Sequence, residues 1–187
     1  MRIVAGRFGG RRLVAPRGTT TRPTSDRVRE ALFSSLGSIE DARVLDLYAG
    51  TGALSLEAIS RGARDATCVE RERAALTALA ENVATLGVAA LVKVVSMPLE
   101  RALARLSSLG PFDLVFADPP YADVDQATDA LSSLASKGVF SVDATIVLEH
   151  GSRDTPVIRG LDEPRRRIYG STALSFFVVG AASPAPG

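Results

Sequence analysis

The sequence predicts an α/β protein built around one doubly wound, mainly parallel sheet. Short apolar segments that suit buried strands alternate with amphipathic segments of helical period along most of the 187 residues. This alternation favours right-handed crossovers and a layer of helices on each face of the sheet. The last two strand-like segments are separated by a Gly-Ser pair, which predicts an antiparallel hairpin at the end of the sheet.

Seven segments are expected to be strands because they are apolar and are bounded by turn-forming residues. The first of them has the continuous apolar character of a strand that is buried on both faces. The predicted strands are residues 44–48, 66–70, 91–95, 113–118, 144–149, 165–169 and 173–179.

Helices are predicted before the first strand and between the later ones. Ser25 or Asp26 can cap the first helix, which presents one apolar face until Gly37 ends it. Gly87 suits the left-handed end of a long helix, and Pro98 suits the first turn of the next. The predicted helices are residues 26–36, a segment that ends near 60, 71–86, a segment that starts near 98, and 124–134.

Composition limits the class of protein. A hydrophobic content of 46% with 23% charged residues is ordinary for a globular domain. No apolar run reaches the roughly 18 residues that a membrane helix requires, and we expect no secretory leader. The single Cys68 excludes an internal disulfide or a cysteine zinc cluster, so we expect a cytoplasmic protein without a metal.

Positive charge is concentrated at the amino terminus. Residues 1–29 contain eight arginines and one acid, whereas the other 158 residues contain 14 basic and 20 acidic side chains. Arginines beside glycines suit contacts with nucleic-acid phosphates, and a solubilising tail is the alternative. Apolar segments on both sides of Gly9 and Gly10 favour a short β-hairpin. The candidate phosphate-binding residues are Arg2, Arg7, Arg11, Arg12, Arg17 and Arg22.

The chain is expected to divide into three parts. Residues 1–24 are predicted to be a basic arm with a hairpin, residues 25–180 the α/β domain, and residues 181–187 a disordered tail rich in Ala and Pro. The later arginines at 165–167 are interpreted as a solvated strand edge. We expect His150, like Cys68, to be a non-catalytic side chain.

A glycine-rich loop, Asp-Leu-Tyr-Ala-Gly-Thr-Gly, follows the first predicted strand. Gly50 and Gly52 permit a tight turn and a close approach of backbone amides to a ligand. Asp46 precedes the loop, and Glu70 ends the second strand, where a carboxylate can hold two ribose hydroxyls. Ser55 stands where a dinucleotide fingerprint requires glycine, but a single ribose clamp does not separate NAD from S-adenosylmethionine. A plain turn, with Glu70 as a helix cap, is the alternative.

The fourth predicted strand ends in Asp118-Pro119-Pro120-Tyr121. A carboxylate beside an aromatic ring suits a flat ring that carries an amine, such as a nucleobase. Hydrogen bonds from that amine to Asp118 and to the Pro119 carbonyl would stabilise positive charge that develops on its nitrogen. Tyr121 can stack on a flipped base, a contact worth about 1–3 kcal/mol. The alternative is a proline turn that only ends the strand.

These two loops are expected to share one site. They follow the first and fourth strands, which would lie side by side, roughly 5 Å apart, where the winding direction of the sheet reverses. Together they favour methyl transfer from a sulfonium cofactor to a base nitrogen.

The motifs resemble those of class I S-adenosylmethionine-dependent methyltransferases, and most specifically the bacterial small-subunit ribosomal RNA guanine-N2 methyltransferase family. The resemblance implies a Rossmann-like sheet of seven strands with an antiparallel last strand, and S-adenosylmethionine as cofactor. It implies as target a guanine of 16S rRNA, guanine 966, in the assembled or assembling 30S subunit. We expect the protein to act as a monomer. The segments that carry the resemblance are Arg2–Gly6, Gly10–Leu13, Arg22–Phe33, Asp46–Gly52, Glu57–Gly62, Glu70 and Asp118–Tyr121.

The resemblance also implies residue roles. Residues 118–121 would form the base site, Glu70 would bind the cofactor ribose, and the arginines of the arm would contact RNA. Relatives often bind the adenine amino group with a polar side chain after the third strand. Here Met97 stands in that segment, so packing and backbone atoms are expected to hold the adenine. The predicted cofactor-binding residues are Thr24, Arg27, Asp46, Tyr48, Ala49, Gly50, Thr51, Gly52, Glu70 and Met97.

Other functions are compatible with the sequence. Related Pro-Pro-Tyr motifs serve methylation of adenine in DNA and of protein amides. The chain could instead be a non-catalytic RNA-binding assembly factor that retains the fold. A nicotinamide-dependent oxidoreductase would bind NAD and leave Asp118 without a role. For Thr24, Arg27 and Arg29, helix capping and ion pairing are the alternative to binding the cofactor carboxylate or an RNA phosphate.

Overall fold

The computed structural model describes residues 1–16 and 26–180. Within these residues one seven-stranded sheet is covered by five α-helices. The strands are β1 (Arg43–Asp46), β2 (Asp65–Glu70), β3 (Val92–Ser96), β4 (Phe112–Ala117), β5 (Phe140–Gly151), β6 (Arg165–Tyr169) and β7 (Thr172–Val178). The helices are α1 (Asp26–Leu36), α2 (Ala53–Ser60), α3 (Arg73–Leu86), α4 (Leu99–Ser107) and α5 (Val124–Ser136).

The strand order in the sheet is β3-β2-β1-β4-β5-β7-β6. Strands β1 to β5 pair in parallel, whereas β7 lies antiparallel between β5 and β6. Gly170, with φ of 64°, occupies the turn that leads from β6 into β7. The predicted doubly wound sheet of seven strands with an antiparallel last strand is confirmed.

Two apolar layers flank the sheet. One contains α1, α2 and α3, and Ile3 and Leu13 of the N-terminal hairpin are part of the same cluster. The other contains α4 and α5, where Leu106 and Leu131 are fully buried. Since Ile3 and Leu13 are at most 7% exposed, the hairpin packs into the domain, where apolar burial stabilises by roughly 25 cal/mol per Å².

Strand β5 is longer than the sequence predicts. It begins at Phe140, four residues before the expected start. Asp143 adopts a left-handed conformation with φ of 63°, and the pairing with β4 shifts register nearby. At this irregularity the burial does not follow the alternation of the sequence, because Phe140 is buried whereas Val142 is 63% exposed.

The hairpin is less regular than predicted. It contains one antiparallel bridge, between Arg2 and Arg12, in place of two short strands. Its neighbouring peptide groups bond to α2 instead, because Glu57 accepts the N–H groups of Val4 and Ala5 at 2.6 and 3.0 Å. The hairpin is therefore held by the domain more than by its own ladder.

A buried charge cluster completes this attachment. Arg29 and Glu57 are both fully buried, with 3.8 Å between Nε and Oε2. Arg29 also donates to the Arg2 carbonyl at 2.5 Å and to Asp26 at 2.7 Å. Opposite charges that are paired in this way limit the cost of removing them from water.

Several predicted residues lie outside the described part of the chain. They are Arg17, Arg22, Thr24, the candidate cap Ser25 and the predicted tail at 181–187. Among the described residues, no helix is both long enough and apolar enough to cross a membrane.

Candidate active site

The two predicted loops meet at the carboxyl edge of the sheet. Strands β1 and β4 are parallel neighbours, with Asp46 paired to Phe116. The Leu47 N–H donates to the Phe116 carbonyl at 2.9 Å, so the pairing continues beyond the end of β1. Asp118 follows β4 by one residue. The structure therefore brings the glycine loop and the Asp-Pro-Pro-Tyr loop together.

The glycine loop requires its two glycines. Gly50 and Gly52 have φ of 54° and 81°, a region that other residues rarely adopt. A Cβ at position 52 would lie only 2.4 Å from Leu79 Cδ1. The Gly52 N–H donates to the Ala49 carbonyl at 2.7 Å and closes the turn just before α2. Ala49 is buried beneath the loop, whereas Thr51 is half-buried.

Asp46 is a buried carboxylate below this loop, with 1% of its surface exposed. Its Oδ2 accepts a hydrogen bond from the Ser55 hydroxyl at 2.8 Å, and the Cys68 thiol donates to that hydroxyl at 3.2 Å. Within the described residues, Oδ1 has no hydrogen bond of good geometry. A buried acceptor of this kind is costly unless a ligand or water satisfies it.

The pKa of Asp46 is raised to about 7. Burial is the largest cause, and the negative charges of Asp118 and Glu70 raise the pKa further. The Ser55 hydrogen bond opposes these effects because it favours the charged form. The negative charges of Asp118 and Glu70 thus act on Asp46 at the rim, which favours a cationic ligand.

Replacing Asp46 by Asn is expected to remove a pH dependence of stability. The pKa of Asp46 in the folded protein lies above its ordinary value, so the folded state keeps a proton that the unfolded chain releases. Stability should therefore fall as pH rises from about 4 to about 7, by up to about 4 kcal/mol. Urea unfolding of both proteins between pH 4 and 8 measures this difference. Parallel stability curves for the two proteins would contradict it.

Backbone amides surround Glu70, the carboxylate that is predicted to bind the cofactor ribose. Glu70 accepts the Gly50 N–H at 2.7 Å and the N–H groups of Arg71 and Glu72, also at 2.7 Å. It thereby joins β2 to the glycine loop and supports the start of α3. A carboxylate has about four acceptor positions, so a ribose hydroxyl can still be accommodated. The ribose role of Glu70 stays a prediction.

Tyr48 and Met97 are both half-buried. Both pack against the apolar layer that contains α4 and α5. Burial, followed by the negative charge of Asp123, raises the pKa of Tyr48 to about 12. Arg71 lies 4.0 Å from Asp123 and 3.5 Å from Glu72 at this rim. Arg71 and Asp123 were not predicted as site residues. Arg71 comes directly after Glu70, and Asp123 comes two residues after Tyr121.

The Asp-Pro-Pro-Tyr loop presents its aromatic ring to solvent. Asp118 is half-buried, Pro119 is buried and Pro120 is exposed. Tyr121 is 61% exposed, and its hydroxyl lies 3.3 Å from Thr172 Oγ1 at the start of β7. An exposed ring that is tethered at its tip is suitable for stacking on a planar ligand.

The described arginines of the arm are all exposed. Arg2 pairs with Asp26 at 3.4 Å, and Arg11 donates to the Thr85 carbonyl at 3.3 Å. Arg7 lies over the Phe8 ring at 4.6 Å, and Arg12 is exposed on the bridge with Arg2. Their phosphate-binding role stays a prediction.

Neighbouring arginines on α1 differ in their surroundings. Arg27 is exposed, so its predicted cofactor role is sterically possible and stays a prediction. Arg29 is instead part of the buried cluster with Glu57, which agrees with the ion-pairing alternative. In residues 1–16 and 26–180, no three His, Cys, Asp or Glu side chains are grouped as metal ligands.

A Rossmann-like sheet with these two loops at adjacent strand ends defines a class I methyltransferase fold. The chain belongs to the family described as Conserved hypothetical protein 95, whose family model matches residues 1–178. S-adenosylmethionine, the predicted cofactor, is the methyl donor of this class.

Relatives in this family carry more specific names. Ribosomal RNA small subunit methyltransferase D of Escherichia coli is 46% identical over 123 residues, which are 65% of this chain and 60% of that protein. The Haemophilus influenzae protein of the same name is 34% identical over 160 residues, 84% of this chain and 82% of that protein. The solved structure of Escherichia coli yhhF has a TM-score of 0.83 and 36% identity, and covers 97% of this chain and 98% of that chain.

Proposed function

We propose that this protein transfers a methyl group from S-adenosylmethionine to the exocyclic N2 of a guanine in 16S ribosomal RNA. The proposed target is guanine 966 of the small subunit. The observation that carries the proposal is the position of Asp118 beside the Asp46 loop, at the ends of paired strands. The names of the Escherichia coli and Haemophilus influenzae relatives support ribosomal RNA as the substrate.

The charge of the site supports a cationic cofactor. Asp46 carries a raised pKa because it is buried near Asp118 and Glu70. The methyl donor brings a sulfonium and an ammonium, and both would relieve the repulsion among these carboxylates. Gly50 and Gly52 would let the backbone approach the cofactor, and Glu70 would take a ribose hydroxyl.

The reacting nitrogen requires help from the protein. The lone pair of the guanine N2 amine is delocalised into the ring, so the amine is a weak nucleophile. Hydrogen bonds to the Asp118 carboxylate and the Pro119 carbonyl would localise that lone pair and stabilise the positive charge that forms. Tyr121 would stack on the base after it leaves its helix or loop.

The reaction balances without a metal or an external base. The sulfonium supplies an activated methyl carbon. As the bond from N2 to this carbon forms, the bond from carbon to sulfur breaks and sulfur keeps the electron pair. The surplus proton on N2 passes to Asp118, directly or through water. N2-methylguanine and S-adenosylhomocysteine are the products.

The exposed arm suits a large RNA partner. Its hairpin is attached to α2 near Ser60, and its later part reaches α3 at Asn82, which also contacts the glycine loop. The four described arginines are exposed on a segment that is fixed to the domain. A fixed, exposed positive surface supports a large RNA, the 30S subunit, assembled or assembling, as the substrate particle.

Mapping of modified nucleosides tests the proposal. We expect 16S rRNA from cells that lack the protein to lose N2-methylguanosine at the target position. The purified protein with S-adenosylmethionine should restore it on 30S subunits from those cells. Mass spectrometry of nuclease fragments measures both results. Unchanged guanine methylation in the deletion cells would refute the proposal, and loss of N6-methyladenine from the DNA of those cells would support the alternative of adenine methylation in DNA.

Replacing Arg11 and Arg12 together by Ala is expected to weaken RNA binding in a salt-dependent way. Loss of two phosphate contacts should reduce the slope of log K against log salt by about 1.4 to 1.8. Filter binding of 30S subunits at several salt concentrations measures the slope. Replacing Arg153 and Arg159 together by Ala is a matched control, since these arginines are remote in sequence from the arm. An unchanged slope in the arm variant would show that the arm does not contact phosphates.

A further inference from the structure

Asn82 is a buried polar residue on α3 that the proposed chemistry does not use. It is 1% exposed, although it carries a carboxamide. Its Oδ1 accepts the Val14 N–H at 2.7 Å. Its Nδ2 donates to the Val14 carbonyl at 3.0 Å and to the Thr51 carbonyl, also at 3.0 Å. One side chain therefore bonds to the arm and to the glycine loop at once.

The bond to Thr51 determines how one peptide plane of the loop is oriented. The Thr51 carbonyl and the Gly52 N–H belong to the same peptide group. Asn82 binds the carbonyl on one side, and the Ala49 carbonyl accepts the N–H at 2.7 Å on the other. A planar peptide held at both ends cannot rotate freely. The conformation of the glycine loop therefore depends on Asn82.

The two bonds to Val14 orient Asn82 in turn. The Val14 backbone and the Asn82 carboxamide each donate one hydrogen bond to the other, as two paired backbone residues do. Removal of the arm from this position would leave a buried carboxamide with unsatisfied groups, which is costly. The arm and the loop therefore support each other through one side chain.

The geometry points to Asn82 as a positioning residue that couples the seating of the arm to cofactor binding. This coupling rests on the proposed function and has a consequence for the binding of the RNA substrate. RNA that holds the arm in place favours the loop conformation that binds cofactor. By linkage, cofactor then favours RNA binding by the same factor.

Cofactor affinity without RNA gives the first test. We expect Asn82→Ala to weaken the affinity for S-adenosylhomocysteine, measured by calorimetry, about 5- to 10-fold. Asn82→Asp keeps an acceptor for the Val14 N–H but has no amide donor for Thr51, so it should weaken the affinity at least as much. It preserves the size of the side chain but sets a buried carboxylate against two carbonyl oxygens, so thermal unfolding is measured to show that the variant still folds.

Ser60→Ala is the matched control. Ser60 is also buried, donates to the Ala5 carbonyl at 2.6 Å and accepts the Phe8 N–H at 2.9 Å, so its loss also loosens the arm. We expect both alanine variants to lower the unfolding midpoint. Asn82→Ala also removes the contact with the loop itself, so it should lower cofactor affinity more than Ser60→Ala, which acts only through the arm. Wild-type affinity in Asn82→Ala, or an equal or larger loss in Ser60→Ala, would overturn the inference.

The second test adds 30S subunits from cells that lack the protein. The wild-type protein should bind S-adenosylhomocysteine more tightly in their presence, and Asn82→Ala should lose this gain. A gain of the same size in Asn82→Ala would also overturn the coupling. Because the first test involves no RNA, a failure to find guanine methylation would not change its result.

Discussion

Replacement of Asp118 by Ala is expected to lower kcat on 30S subunits by about 100- to 1,000-fold. The variant loses the carboxylate that would stabilise positive charge on N2 and accept its proton. Its affinity for S-adenosylhomocysteine should stay within about twofold, because the glycine loop and Glu70 are unchanged. Single-turnover methylation and calorimetry measure the two quantities separately.

A second readout distinguishes a local electrostatic role from general damage. Asp118 raises the pKa of Asp46, so its removal should lower that pKa and move the pH dependence of stability toward acid. Asp125→Asn is a control for the loss of a carboxylate nearby in sequence, since Asp125 is exposed on α5. It should retain normal turnover. Wild-type kcat in Asp118→Ala would exclude the mechanism.

Replacement of Tyr121 by Ala is expected to lower kcat/KM by about 5- to 150-fold, which corresponds to a stacking contact of about 1–3 kcal/mol. The ring is 61% exposed and makes little contribution to the core, so the folded protein should be nearly as stable. Steady-state methylation of 30S subunits and thermal unfolding check both expectations.

Tyr121→Phe separates the ring from its hydroxyl. It keeps the stacking surface but loses the 3.3 Å contact with Thr172. We expect it to retain most of the activity, with a loss of a few fold at most. If Phe and Ala reduce activity equally, the hydroxyl matters and stacking is not the role of this residue.

Features that depend on neighbouring residues were predictable from the sequence. The glycine loop needs left-handed backbone at Gly50 and Gly52, and the proline loop ends a strand, so both leave local signals. The alternation of strands and helices predicted the sheet. Asp118 was expected close to Asp46 because both follow or end neighbouring strands at the edge where ligands bind. The helix ends at Gly37 and Gly87 were predictable for the same local reason.

Features that depend on distant pairs were not predicted. Glu57 and Arg29 lie in different helices, and nothing local shows that their charges are buried together. Asn82 does leave a signal in the sequence. It shares a helix face with the buried Leu79 and Val83, where a polar residue requires buried partners. The identity of those partners, 68 and 31 residues away, follows only from the tertiary structure.

The docked hairpin has a consequence for synthesis of the protein. Ile3 and Val4 are synthesised before their neighbours on α2 and α3. At about 5–20 residues per second, the delay before Asn82 is available is on the order of several seconds. During that interval an apolar, arginine-rich segment is exposed beside ribosomal RNA. The hairpin thus reaches its native position only after α3 has been made, and the cofactor loop gains its bond to Asn82 at the same stage.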